Sequence, residues 1–495
     1  MSDIGSRTPV LVGAGQFIQR PENPVEALEP VAMMGEALAN AAQDAGAPGL
    51  PARASHTWVI KGAWPYPDPA ALLNQRFGAT GKTGLSTDGG NTPQSLVNLA
   101  CSRIAAGEAD VVLIAGAEGI WSRRRARRAS QRIPYTDQTG AVPDEVLGRD
   151  VIMNNKVEVE RGFRDPINLY PVFESAFRAS RGETMEGHRD RLAAMWEKFN
   201  QAAVANPYSW IRTPMTAEEI RNPSPTNRFV GFPYTKSMNS NWDLDLAAAL
   251  IVCSAEAASA AGVPTDRWLF PLAGTDARDT DYVSHRGDLH SSPAIRVAGR
   301  RVMELAGVGV DDIDHVDLYS CFPSAVQISA TELGLGLDRD LTLTGGLTFA
   351  GGPLNNYVTH SIATMAGVLR DNPGTVGLCS ANGGYLTKHA FGIYSTEPPA
   401  DGFRHQNCQD EIDRFPSVEL DAAYTGSATV EAYTVMHGRT GPEGVGPEVA
   451  LAAVRTPNGR QWARSTDPEL MAEMTKTEHI GTGVVVNEDF EFAPA

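Results

Sequence analysis

The residues best suited to chemistry fall in four short stretches and one basic run. In "GGLTFAGGPLNNYVTHSIATMAG" (345–367), Gly351 and Gly352 precede Pro353 and two asparagines, Asn355 and Asn356, and an amphipathic segment carrying His360 follows. Glycines there let the backbone come close to a ligand, and the helix start behind them offers amides to a carbonyl oxygen or a phosphate. On that helix Val358, Ile362, Met365 and Leu369 make the core stripe, while Asn356, His360 and Thr364 share the opposite face at i, i+4 spacing. His360 supplies an imidazole if that face looks into a cleft, and is otherwise a packing histidine. "TDGGNTPQ" sets Gly89, Gly90 and Asn91 before a second helix start. "GLCSANGGYLTKH" (377–389) places Cys379 at a strand end, where it is either a reactive or a plainly buried thiol, ahead of Asn382, Gly383 and Gly384. Lys388 and His389 follow, their ordinary reading being a surface pair. "DLYSCFPSA" carries Tyr319, a hydrogen-bond donor for an oxyanion or a buried tyrosine with one satisfied hydroxyl. The basic run is Arg123, Arg124, Arg125, Arg127 and Arg128, suited to phosphates or to a solvated helix face.

These stretches sit at the joints of an α/β pattern. "PVLVGAG" is a buried strand ending in a glycine turn, and Pro30 to Ala45 is an alanine-rich helix closed by Gly46. After Gly89 and Gly90, Thr92 caps a helix with Pro93 at its first position, and Val111 to Ala115 is the next strand. The stretch from Gly351 repeats the plan: glycines, proline, a helix to about Leu369, then a strand and glycine exit in "TVGLCSANGG". A loop, helix and strand used twice points to two related α/β halves rather than one doubly wound sheet. Residues 1–260 form the first half, with an insertion over 120–240 rich in arginine, aromatics, asparagine and proline, and residues 261–400 form the second. Residues 405–495 change character: short β-branched runs such as "GSATVEAYTVMHG" and "HIGTGVVVNEDFEF" between Gly, Pro and Asn turns predict a small antiparallel β-barrel.

With 495 residues and 42% apolar composition, the chain exceeds one core and folds without staples. Its formal charge of -17 repels nucleic acid and acidic membrane surfaces. Five cysteines lie far apart with no C-x-x-C pair, which fits free thiols in a reducing cytoplasm and neither disulfides nor a metal site. The opening "MSDIGSRTPVLVGAGQF" has no basic region leading into a long apolar run, so neither a signal peptide nor a membrane span is expected.

At these loops, over residues 1 to about 400, the chain resembles the thiolase superfamily, and most closely the thiolase-like proteins of type 1, related to sterol-carrier-protein thiolases; the C-terminal module resembles that group's additional domain. The resemblance implies two βαβαβαββ halves with a loop domain inserted in the first, and chemistry on coenzyme A thioesters with no prosthetic group. Thiolases keep a nucleophilic cysteine at the N-terminus of the first-half helix, where the helix field stabilises a thiolate. Here Gly89, Gly90, Asn91 and Thr92 stand in that place, and Cys101, a core cysteine, lies about 12 Å along the helix. The N-E-A-F or H-D-C-F loop of thiolases corresponds to Tyr319, Ser320, Cys321 and Phe322; related lyases use a tyrosine there in a retro-aldol cleavage. The G-H-P loop corresponds to Gly351-Gly352-Pro353, without its histidine but with amides for a thioester oxygen, and the C-x-G acid/base to Cys379 or Ser380. The inserted region helps thiolases hold the nucleotide end of coenzyme A, which gives Arg123 and Arg124 a phosphate role.

Three readings follow. The first is an enzyme acting on acyl-CoA without a cysteine relay, such as a retro-aldol lyase with Tyr319 as donor and Cys379, His360 or His389 as base. The second is an acyl-CoA binding or scaffold protein without turnover. The third is an acetyl-CoA acetyltransferase, which the absent cysteine and histidine speak against. A monomer or a homodimer is expected.

Overall fold

The computed structural model describes residues 4–438 and 446–495. In chain order, the first half contains strand β1 (Pro9–Ile18), helix α1 (Pro30–Asp44), strand β2 (His56–Val59), helix α2 (Pro69–Phe77), strand β3 (Lys82–Ser86), helix α3 (Thr92–Ala105), strand β4 (Val111–Gly119), helix α4 (Ile120–Arg128) and strand β5 (Glu145–Leu147). The inserted region holds the helices Pro166–Ser180 and Met185–Ala205 and the short strands β6 (Phe229–Gly231) and β7 (Tyr234–Thr235), and β8 (Asp245–Ser254) closes the half. The second half runs through β9 (Phe270–Arg278), the helix Pro293–Ala306, β10 (His315–Asp317), the helix Tyr357–Asp371, β11 (Val376–Gly383), β12 (Lys388–Ser395) and β13 (Arg404–Asn407). The C-terminal strands are β14 (Gly426–Gly438), β15 (Gly446–Arg455), β16 (Arg460–Ser465), β17 (Gly483–Val486) and β18 (Phe492–Pro494).

The duplication read from the loops is visible in the sheets. The first is ordered β1-β8-β4-β2-β3-β5 and the second β10-β11-β12-β9-β13. Along β1-β8-β4-β2 the pairings are antiparallel, antiparallel and parallel. Along β9-β12-β11-β10 they are the same. Helix α3 leads into β4 as Tyr357–Asp371 leads into β11, and both helices touch strands of both sheets, so they form the layer between the halves. Their inner faces are apolar for that reason. Leu96, Val97, Ala100, Cys101 and Ile104 of α3 are buried, and so are Val358, Ile362, Met365 and Leu369 of the later helix.

The C-terminal strands form an antiparallel sheet ordered β16-β15-β14-β17-β18, which the short strands of the inserted region extend. An isolated bridge between Arg464 and Glu491 brings the two ends of this ladder, β16 and β18, together. Residues 404–407 join the second half instead, as β13 alongside β9. Arg460, fully buried, docks the module by donating to the carbonyls of Ser284 (2.9 Å) and Arg286 (2.7 Å) while its charge meets Glu431 (2.6 Å). Among the described residues, no helix is long and apolar enough to cross a membrane and no three His, Cys, Asp or Glu side chains cluster as metal ligands would.

Candidate functional site

The turn before α3 is held from the other half of the molecule. Asn355 accepts from the Gly89 amide (3.0 Å) and donates to the Lys61 carbonyl (2.9 Å) and to Asp88 (3.1 Å). Gly90 is a glycine by necessity. A β-carbon there would overlap the Asn382 carbonyl oxygen and the Tyr319 hydroxyl, and would lie 2.8 Å from Tyr319 Cζ. One on Gly383 would come within 2.5 Å of Asn91 Oδ1. Gly89, Gly90, Asn91, Tyr319, Asn355, Asn382 and Gly383 therefore meet around this turn.

Tyr319 is 7% exposed, and its ring stands edge-on to Tyr357 at 5.5 Å. Its hydroxyl has no hydrogen-bond partner among the described residues. Burial, with the Cys321 thiol nearby, pushes the phenol well above its ordinary range and keeps it a donor. The backbone amides of Gly90 and Asn91 are likewise without partners among the described residues. Three unspent donors thus surround one glycine, an arrangement suited to a carbonyl or enolate oxygen.

Other expected contributors are committed elsewhere. Cys379 lies mid-strand in β11, fully buried, and not at its end. Burial and the neighbouring Asp317 push its thiol well above the ordinary range, which disfavours a thiolate. Cys321 is pushed up to about 12, mainly by burial. His360 hydrogen-bonds through Nδ1 to Gln16 of β1 (2.7 Å), its Nε2 is sealed without a partner, and burial lowers it to about 3. The polar face of its helix is spent on the first sheet: Asn356 donates to the Gly116 carbonyl (2.7 Å) and Gln16 reaches Thr364 (3.4 Å). The amides of Gly351 and Gly352 are also spent, on the carbonyls of Gly346 (3.3 Å) and Asn241 (2.8 Å), so they do not offer themselves to a ligand. Gly351, at φ 111, packs against Leu244 and Trp210 of the preceding region. Gly384 turns at φ 63 and its carbonyl faces the Tyr170 hydroxyl (3.4 Å).

Lys388 and His389 are not a surface pair. They open β12, whose residues are all buried, and are 8% and 2% exposed. The Lys388 ammonium donates to the Asp88 carbonyl (2.8 Å), and His389 Nε2 faces the Leu386 carbonyl (3.2 Å).

The arginine run divides. Arg123 donates to the Ala63 carbonyl, Arg124 pairs with Asp243 (2.9 Å), and Arg125 holds the carbonyls of Pro21 and Glu22 (2.7 Å each). Arg127 and Arg132 have no partners among the described residues and line, with Arg123, Pro65 and Tyr135, an open groove of about 930 Å3. Segment 61–67 joins this groove to the glycine site: Lys61 pairs with Asp88 (2.8 Å), while Pro65 and Pro67 form the groove wall.

Sequence reasoning missed Asp317. Wholly buried, it accepts from the amides of Leu343 (2.8 Å) and Thr344 (3.0 Å) and from the hydroxyls of Thr342, Thr344, Tyr357 and Ser361. The signal was an acid two residues before Tyr319, set between the apolar Val316 and Leu318. By fixing Tyr357 and the strand, Asp317 sets the ring against which Tyr319 rests.

Residues 407–491 match the family model of the thiolase-like protein type 1 additional C-terminal domain. A monomeric SCP2-thiolase-like protein type 1 from Mycobacterium smegmatis superposes with a TM-score of 0.83 at 29% identity, covering 100% of both chains. The Ltp2–ChsH2(DUF35) aldolase (TM-score 0.60, 17% identity) and an acetyl-CoA acetyltransferase from Syntrophomonas wolfei (0.56, 15%) share the fold over 79% of this chain and 98% and 99% of theirs. Among curated proteins, the benzoylsuccinyl-CoA thiolase subunit BbsB of Thauera aromatica is 27% identical over 144 residues, which is 29% of this chain and 35% of that subunit.

Proposed function

We propose that this chain, a thiolase-like protein of the type 1 group within the thiolase superfamily, binds acyl-CoA thioesters without passing the acyl group through a cysteine. The observation that carries this reading is the contact between Gly90 and Tyr319: a phenol fills the space a side chain at residue 90 would need. The thioester oxygen is held by the Gly90 and Asn91 amides and the Tyr319 hydroxyl, all unspent donors. Arg127 and Arg132 take the nucleotide phosphates in the adjoining groove, where guanidinium forks suit them better than the already paired Arg124.

Cleavage of a carbon–carbon bond in a β-hydroxyacyl-CoA would need, besides the Tyr319 donor, a base for the β-hydroxyl proton. The candidates fit that task poorly. Cys379 is a sealed, protonated thiol, His360 is turned to Gln16, and His389 lines a cavity behind the Gly89–Asn91 turn whose walls do not include Tyr319. Noncovalent thioester binding is therefore the better-supported reading of the two.

Calorimetric titration with acetoacetyl-CoA tests it. Saturable binding is expected, weakened about tenfold by Tyr319→Phe, equivalent to about 1.4 kcal/mol, and by more in an Arg127→Ala, Arg132→Ala double variant. Heat-free titration of the folded wild-type protein would refute the reading.

A further inference from the structure

Behind the Gly89–Asn91 turn, a cavity of about 310 Å3 opens between the halves, walled by Ser95, Leu96 and Leu99 of α3 and by Lys388 and His389 of β12. Asp88 is taken by Lys61 (2.8 Å), Asp276 by Asn98 (3.1 Å) and His405 (2.8 Å), and Arg149 and Arg278 at the rim share Asp281 (3.0 and 3.1 Å). Lys388 is 8% exposed and bonded to one backbone carbonyl; Asp150, Asp88 and Asp281 act on its charge, but among the described residues no carboxylate lies within ion-pair distance of its ammonium. A buried ammonium in that state carries a desolvation cost that a bound anion offsets. Two of its three N–H donors are unspent.

His389 adds a second, different specification. Its Nε2 faces two acceptors, the Leu386 carbonyl (3.2 Å) and the Asp279 carboxylate (3.6 Å), so Nε2 carries a proton, and in that tautomer Nδ1 is an acceptor. Nδ1 has no partner among the described residues, although the side chain is 2% exposed and lines the cavity. The wall thus presents a cation, an unfilled acceptor and the apolar surface of Leu96 and Leu99.

We infer that this cavity is a binding site for a short-chain hydroxycarboxylate. The carboxylate sits on Lys388, the ligand hydroxyl donates to His389 Nδ1, and the alkyl chain covers Leu96 and Leu99. Nothing in this assignment depends on acyl-CoA binding, and it is read on the CoA-free protein.

The test is calorimetry of the full-length protein with 3-hydroxyhexanoate, hexanoate and inorganic phosphate as probes. The expected result is saturable binding of 3-hydroxyhexanoate, weakened about tenfold for hexanoate and about tenfold by Lys388→Met, with phosphate weaker than either acid. Leu99→Gln, at the partly exposed wall, should also weaken the hydroxy acid while leaving the thermal midpoint close to wild type. Equal affinities for the three probes, no binding at millimolar hydroxy acid, or unchanged affinity in a folded Lys388→Met protein would each overturn the assignment.

Discussion

Tyr319 and Gly90, 229 positions apart in sequence, occupy one space: the phenol of the first stands where any side chain on the second would have to go. The two halves are therefore locked together at the turn that begins α3. Replacing Gly90 with alanine should destabilise the protein by about 1–3 kcal/mol through overpacking, since the Asn382 backbone cannot move as freely as a side chain. Urea unfolding measures it, and an unchanged midpoint would show that the turn is looser than described.

Asp317→Asn provides a second check on how the Tyr319 wall is built. The carboxylate accepts from two amides and four hydroxyls in a sealed site. An amide nitrogen in place of one oxygen would face donors, at a cost of at least about 2 kcal/mol. Denaturant titration should show that loss, with weaker acetoacetyl-CoA binding in whatever fraction remains folded.

His360 predicts a pH signature. Burial lowers it from 6.5 to about 3, so the unfolded chain takes up a proton below pH 6.5 that the native fold refuses. Stability from this residue is present above pH 6.5 and lost as pH falls toward 3. Between pH 7 and pH 5 wild type should lose about 2 kcal/mol more than His360→Gln. Parallel pH profiles for the two proteins would show that His360 is accessible to protons after all.

Much of this arrangement was legible in the sequence. The two glycine–proline–helix stretches announced the duplicated halves, and the i, i+4 spacing of Asn356, His360 and Thr364 marked a polar face that does mate with the other half. What that face meets was not legible, because Gln16 and Gly116 lie hundreds of positions away and only the fold opposes them. The same limit explains Lys388 and His389. Their types suggest a surface, but the segment pairs on both sides, with β11 and β9, and is buried. The glycine pair at Gly351 and Gly352 suggests donors to a ligand, but their amides are consumed by the carbonyls of Gly346 and Asn241. The amides left free in the first-half turn are those of Gly90 and Asn91, since Asn355 takes only that of Gly89.

The central claim, noncovalent handling of the thioester, is tested most directly by rapid-quench intact-mass analysis of the protein mixed with acetoacetyl-CoA. The account predicts unmodified protein at every time point while calorimetry shows the same preparation binding the thioester. An acyl adduct on any of the five buried cysteines, forming as fast as coenzyme A is released, would contradict it.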